Sequence, residues 1–163
     1  MKSEIFLEIS ERTPFANGHF FEKTDLYERI KGRVHYAVDP KDEDFSGITD
    51  LNHAPRNQKG MVEYSTEFLI LKPEKPEQGN KRLFFDWGNR GNIRSLQFFN
   101  DSEASNDPKD LNHAGNGYLF RRGYTQVFAG WQGDLLPGDG RFLMDLPVAT
   151  DNGKPITGRV RSE

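Results

Sequence analysis

The chain has 163 residues, 34% of them hydrophobic and 29% charged, with a net charge of −3 and no cysteine. It is too apolar for a disordered chain, and its interspersed charges form no basic face for a phosphate backbone, so nucleic acid is excluded as an expected partner. The missing thiols exclude disulfides, thiolate metal sites and a cysteine nucleophile.

The N-terminus, Met1-Lys2-Ser3-Glu4-Ile5-Phe6-Leu7-Glu8, lacks the roughly 7–15-residue apolar run of a signal peptide. Nowhere do about 18 apolar residues follow one another, as a membrane-spanning helix requires. A soluble cytoplasmic protein without membrane contact is expected, though an exported parent trimmed of its signal reads the same. Residues 1–163 are expected to form one domain or an incomplete one. Thirteen Phe, five Tyr and two Trp supply the core, each able to bury about 150–250 Å².

Ile5, Leu7 and Ile9 alternate with polar neighbours and predict a first strand, broken by Pro14 and Gly18. Val34, Tyr36 and Val38 share one face of a second strand, stopped at Asp39-Pro40. The polar stretch from Asp42 to Gly60 reads as a long surface loop. Val62 to Leu71 reads as a third strand, buried on both sides in its later half because Leu69 and Leu71 fill the second face. The second and third strands are expected to be antiparallel and in meander order.

The pattern then changes. Leu83-Phe84-Phe85-Asp86-Trp87 reads as a central strand covered on both faces, running into the glycine-bearing loop Gly88-Asn89-Arg90-Gly91-Asn92. Asp107-Pro108 predicts a helix start, and Arg121-Arg122-Gly123 a helix end with Gly at C′. Tyr124 to Trp131 is the next strand. Strand, glycine loop, helix, glycine and strand make one βαβ unit with parallel pairing. The tail has extended patches around Val148 and Ile156 and ends on Arg159-Val160-Arg161-Ser162-Glu163. The expected fold is thus α/β, with antiparallel meander strands, one βαβ unit and long surface loops. It amounts to half of an open sheet, whose free edge is expected after Tyr124–Trp131.

Two loops carry the candidate chemistry. Ligands in α/β sheets bind at the carboxyl ends of strands. The loop from Asp86 to Asn92, with its glycine pair, is therefore a candidate oxyanion or anion-binding nest, and Trp87, Arg90 and Asn92 are candidate pocket residues. A tight turn in which the glycines relieve backbone strain explains the same residues. Trp131, Gln132 and Asp134, at the end of the next strand, are candidate pocket residues, and Trp131 serves equally as a cap on the core. Asp86, at the loop's start, is expected to accept backbone hydrogen bonds that shape it.

His19, His35, His53 and His113 show no metal-ligand spacing, so no metal and no cofactor are expected. None of the eight serines sits in G-x-S-x-G, the elbow a nucleophilic serine needs on a strand-to-helix turn.

In their order, these elements resemble the first half of an α/β-hydrolase, and more narrowly the amino-terminal region of a bacterial family of alpha/beta hydrolase domain proteins. The resemblance is carried by Arg12-Thr13-Pro14-Phe15-Ala16, Tyr27-Glu28-Arg29-Ile30-Lys31-Gly32-Arg33-Val34 and Ala54-Pro55-Arg56-Asn57. It continues through Asn89-Arg90-Gly91-Asn92, Asn106-Asp107-Pro108, Ala114 to Tyr124, Gly130-Trp131-Gln132-Gly133-Asp134 and Pro155-Ile156-Thr157-Gly158-Arg159-Val160. It implies a serine ester hydrolase in which this chain supplies sheet, pocket wall and the oxyanion-hole loop near Gly88 or Asn89. Nucleophile, acid and base would lie beyond Glu163, the substrate would be a small ester, and the 163-residue piece alone would be inactive. Two other readings stand beside it. One is a non-catalytic β-rich module that stacks a sugar or other small ligand on Trp87 and Trp131. The other is a subunit that self-associates through its open sheet edge.

Overall fold

Apolar residues at alternating positions, punctuated by Pro and Gly, give a β-rich mixed α/β chain in the computed structural model. Residues 3–159 are described, so the tail beyond Arg159, including Val160 of the last family-like segment, lies outside the described residues. Strands β1 (Ser3–Pro14), β2 (Tyr27–Val38), β3 (Val62–Pro73), β4 (Leu83–Asp86) and β5 (Thr125–Ala129) form one sheet in the order β1-β2-β3-β5-β4. Strand β6 (Met144–Asp145) also pairs with β3, making six strands, and β7 (Thr150–Asp151) with β8 (Lys154–Pro155) is a separate antiparallel hairpin.

Two compact units divide the chain. One gathers Met1–Phe6, His35–Ser65 and Asp145–Glu163, and the other gathers Leu7–Val34 and Thr66–Met144. In the first, Tyr36 stacks on Tyr64 at 4.8 Å and Lys59 pairs with Glu4 at 2.9 Å. Its polar loop holds only the short 3-10 turns Glu43–Phe45 and Leu51–His53, in keeping with the surface loop expected there. The second unit contains the main apolar core and both candidate loops.

Strand order corrects the sequence reading. β5 lies inside the sheet, antiparallel to β3 and parallel to β4, so among the described residues the outer strand at this end is β4 and not β5, with β1 at the other end. Nor is β4 covered on both faces. Phe84 packs against Phe99 at 5.0 Å, while Leu83 and Phe85 on the opposite face are 61% and 40% exposed. An unbroken apolar run has the same appearance in a central strand and in an edge strand with one bare face, so composition did not separate them. In β3 the double-sided burial is partial: Phe68, Leu69 and Leu71 are buried, but Ile70 is half-buried.

The crossover from β4 to β5 also differs from a single helix. It is broken into α1 (Ser95–Asn100), α2 (Leu111–Ala114) and α3 (Tyr118–Arg121), and the cap before α2 is Asp110, not Asp107. Asn100 ties the three together. Its fully buried side chain donates to Ala114 O at 3.2 Å and accepts from Leu119 N at 3.0 Å, and its carbonyl accepts from Asn116 N at 2.6 Å. Gly115 is required there, because a Cβ would fall 2.1 Å from Asn100 O. Gly123 does end α3 with a positive φ of 72°, as the C′ reading expects.

Phe120, at the end of the crossover, anchors it to the sheet. Its ring stacks on Phe15 at 5.0 Å and Phe21 at 4.8 Å and meets Tyr27 edge-on at 5.0 Å. The Tyr27 hydroxyl donates to Tyr124 O at 3.0 Å, and burial pushes its pKa well up. Beside this cluster Arg29 is 1% exposed and reaches Glu11 at 2.6 Å, Pro108 O at 3.0 Å and the Asp107 carboxylate. Burial pushes the Asp107 carboxyl up, but the Lys109 hydrogen bond and the charges of Arg29, Lys31 and Lys109 outweigh it and hold the pKa below its ordinary value.

Arg29→Met is expected to lower the unfolding free energy by about 2–3 kcal/mol in urea titrations. That is below the roughly 3–5 kcal/mol of a fully buried pair, because both carboxylates are partly exposed and regain water. Asp107 has a depressed folded pKa, so its share is complete above the ordinary value of 3.8 and disappears as pH falls through the folded one. The deficit of the variant is thus constant from pH 8 to 5 and shrinks only in strong acid.

Candidate functional site

Parallel pairing puts the carboxyl ends of β4 and β5 side by side, so the loops that leave them meet. In the first, Arg90 and Gly91 have φ of 53° and 76°, and Asn92 N–H donates to Asn89 O at 3.2 Å. Two central residues with positive φ are the signature of a type I′ turn, and Asn89 and Asn92 form the bridge that closes it. Gly91 admits a neighbouring chain: a Cβ would lie 2.8 Å from Phe142 O, and Phe142 N–H donates to Gly91 O at 2.9 Å.

The turn spends most of its own donors. Gly88 N–H donates back to Asp86 O at 3.0 Å, and Ile93 N–H donates to Asn106 Oδ1 at 2.9 Å. Gly88 N–H is therefore not a free oxyanion donor in this arrangement, and Asn89 takes part in the bridge through its carbonyl, which accepts from Asn92 N–H. For Gly88 the tight-turn reading describes the loop better than the nest does. Asn92 holds the turn, with Nδ2 donating to Asn89 O at 3.1 Å and Oδ1 accepting from Asn106 Nδ2 at 3.1 Å, and it also lines the small cavity beneath the turn and an open depression beside Asn106 and Asp139. Asp86 takes the expected structural role, its Oδ2 accepting from Arg94 N at 3.0 Å and Ser95 N at 2.9 Å to fix the exit into α1.

Residues of the second loop each grip the first. Trp131 Nε1 donates to Gly88 O at 2.8 Å, and Gln132 Oε1 accepts from Arg90 N–H at 3.1 Å. Asp134 receives the Arg90 guanidinium at 2.9 Å, and that hydrogen bond is the chief reason its carboxyl titrates below the ordinary carboxylate value. Thr66 fixes the root of this loop through its hydroxyl, which donates to Gly130 O at 2.8 Å.

All the candidate residues are thus brought together, but as a clasp and not around an open pocket. The cavity beneath, lined by Asp86, Gly88, Gly91, Asn92, Ile93, Phe128, Ala129 and Phe142, holds about 10 Å³, room for a single water at most. The accessible surface is instead an aromatic row. Phe85 lies 5.1 Å from Trp87, which meets Trp131 edge-on at 6.1 Å, and the two indoles are 69% and 45% exposed.

Sequence reasoning missed Asn106, Phe142 and Phe85. Asn106, though part of the family-like segment Asn106-Asp107-Pro108, and Phe142, which carries no motif, reach the site from distant chain segments, whereas Phe85 was legible as the alternate-position neighbour of Trp87. The histidines lie elsewhere: His113 Nδ1 accepts from Lys109 N at 3.2 Å beside its capping box, His19 meets Phe21 edge-on at 4.8 Å, and His35 lies 6.0 Å from Phe6. Among the described residues there is no group of His, Cys, Asp and Glu suited to a metal, and no helix long and apolar enough to cross a membrane. Compared with protein-family models, curated proteins and solved structures, the chain matches none.

Gly91→Ala is expected to cost about 1–3 kcal/mol of stability, from left-handed strain and the clash with Phe142 O. Gly47→Ala, at an ordinary φ with open space around it, is expected to stay within about 0.5 kcal/mol of the parent. Chemical denaturation of the two variants side by side checks the difference.

Proposed function

We propose that this chain is the amino-terminal part of a serine ester hydrolase of the α/β-hydrolase type. It supplies sheet, pocket wall and the oxyanion-hole loop, while the nucleophile, acid and base come from polypeptide beyond these residues. The observation that carries this reading is the parallel pair β4–β5, whose carboxyl-end loops are clasped together. The first of these loops leads from a strand into a helix, the place from which α/β-hydrolases take one oxyanion N–H. The bare side of β4 supports it too, since parallel strands are ordinarily covered on both faces and flanked by further strands. A strand carrying G-x-S-x-G would add there, bringing its serine to the same sheet end as Trp87 and Trp131. The substrate class is a small ester whose acyl or alcohol group rests on the indoles.

The aromatic row favours a second reading, in which the chain is a non-catalytic module that stacks a sugar or other planar ligand on Trp87 and Trp131. Self-association through the β4 edge accompanies either reading for the isolated chain.

The purified chain is expected not to hydrolyse p-nitrophenyl acetate above the buffer rate. Mixed with an α/β-hydrolase carboxyl-terminal segment carrying the serine elbow, Asp or Glu and His, it is expected to do so, with the rate lost on Ser→Ala in that segment. Turnover by a monomeric sample of the chain alone contradicts the hydrolase reading. Saturable quenching of tryptophan fluorescence by simple sugars, with no rate in the mixture, favours the binding module.

A further inference from the structure

We propose that the outer edge of β1 is a self-association surface, on which a second copy of this chain pairs antiparallel about a twofold axis at Leu7. The proposal is independent of the hydrolase reading, because β1 and β4 lie at opposite ends of the sheet order. It starts from the alternation of Ile5, Leu7 and Ile9. Such a pattern ordinarily marks a face turned to the core, yet these three side chains are 66%, 58% and 52% exposed. Among the described residues β1 has β2 on one side and no strand on the other. An edge strand with exposed aliphatic side chains is a template for another strand. Glu8 O faces β2, since a Cβ on Gly32 would collide with it. Main-chain polar groups alternate in direction along a strand, so the N–H and C=O of Ile5, Leu7 and Ile9 face away from β2.

The occupant follows from the strand's own sequence. Ile5-Phe6-Leu7-Glu8-Ile9 places its aliphatic residues symmetrically about Leu7. With the axis there, Ile5 meets Ile9 of the second copy, Leu7 meets Leu7 and Ile9 meets Ile5, so six aliphatic side chains form one row. The contact is isologous and closes at two copies. On the other face Glu4 meets Ser10 and Phe6 meets Glu8, and from Ser3 to Glu11 no like charges stand directly opposite. Neighbouring registers lack this. An axis at Phe6 sets Glu4 against Glu8. An axis at Glu8 sets the two Glu8 side chains against each other and turns Ile5 onto Glu11. Like charges directly opposite are destabilising, whereas apolar cross-strand pairs are favourable. Charge and apolar pattern thus select the same register, and the sheets of the two copies continue into one another through β1.

The chain has no cysteine, so single substitutions report the register directly. Hydrogen-bonded antiparallel pairs have Cα atoms about 5.5 Å apart, within the span of a disulfide. Under mild oxidation Leu7→Cys is expected to form a covalent dimer. Ile5→Cys alone is expected not to, since its two copies lie about 14 Å apart along the strands, whereas an equal mixture of Ile5→Cys and Ile9→Cys is expected to cross-link. In sedimentation the parent is expected to pass from monomer to dimer with rising concentration. Leu7→Lys, which sets two ammonium groups at the axis, is expected to raise the dissociation constant at least about 10-fold. Its circular dichroism is expected to match the parent's, because Leu7 is exposed. A parent that stays monomeric at millimolar concentration overturns the proposal, as does Ile5→Cys cross-linking as readily as Leu7→Cys. A dimer indifferent to Leu7→Lys but lost on Phe85→Lys overturns it too and assigns the association to β4. The hydrolase reading is judged apart: turnover in the complemented mixture without a β1 dimer removes only this interface, and a β1 dimer without turnover removes only the hydrolase.

Discussion

A strand pairs in parallel with its successor only when the chain between them climbs back along the sheet, and β4 and β5 pair in that way. The three short helices of the crossover make the climb, and the Phe120 cluster fixes where it ends. Everything at the site depends on this return. It puts β5 between β3 and β4, brings two loops to one sheet end, and leaves β4 with a partner on one side only among the described residues. With antiparallel pairing the two loops would sit at opposite ends, and Trp131, Gln132 and Asp134 would have nothing to hold.

The clasp shows how a glycine loop and a ligand site differ. A loop whose N–H groups converge on empty space binds anions, whereas a type I′ turn directs them into its own ladder. Here Asn92 N–H is spent on Asn89 O and Gly88 N–H on Asp86 O, and the clasp is made by side chains of the neighbouring loop. Two of its three links are hydrogen bonds and one is an ion pair, all at or near the surface, where each contributes little to stability. Their value is geometric: they set the spacing of the indoles and fix the turn without filling the surface above it.

Much of this was legible in the sequence. Alternation marked the three long strands, although Tyr27 to Gly32 was not read as part of β2, because its polar residues Glu28, Arg29 and Lys31 conceal a strand whose arginine is buried. Gly123 as a C′ residue and Asp86 as a loop-shaping acid followed from local chemistry, and both hold. Strand order was not legible, since Leu83-Phe84-Phe85 is apolar whether or not a neighbour covers it. The broken crossover was missed because its cause, the buried Asn100 side chain gripping Ala114 and Leu119, is a tertiary bond between residues that look like ordinary loop polars. The site residues were found as a set because carboxyl ends of parallel strands attract function, but their mutual bonds depend on side-chain reach, which spacing alone does not give.

The bare side of β4 is where the mixed sheet and the hydrolase reading make contact, so the most direct measurement is amide hydrogen exchange along β4 and β5, in the isolated chain and with a serine-elbow segment added. The expected result is slow exchange throughout β5, fast exchange at the outward-facing amides of β4 in the isolated chain at low concentration, and slowing of those same amides when the segment binds. Outward β4 amides as protected as those of β5 in a dilute monomer, or left unchanged by a segment that restores turnover, would contradict the claim that the sheet continues at β4.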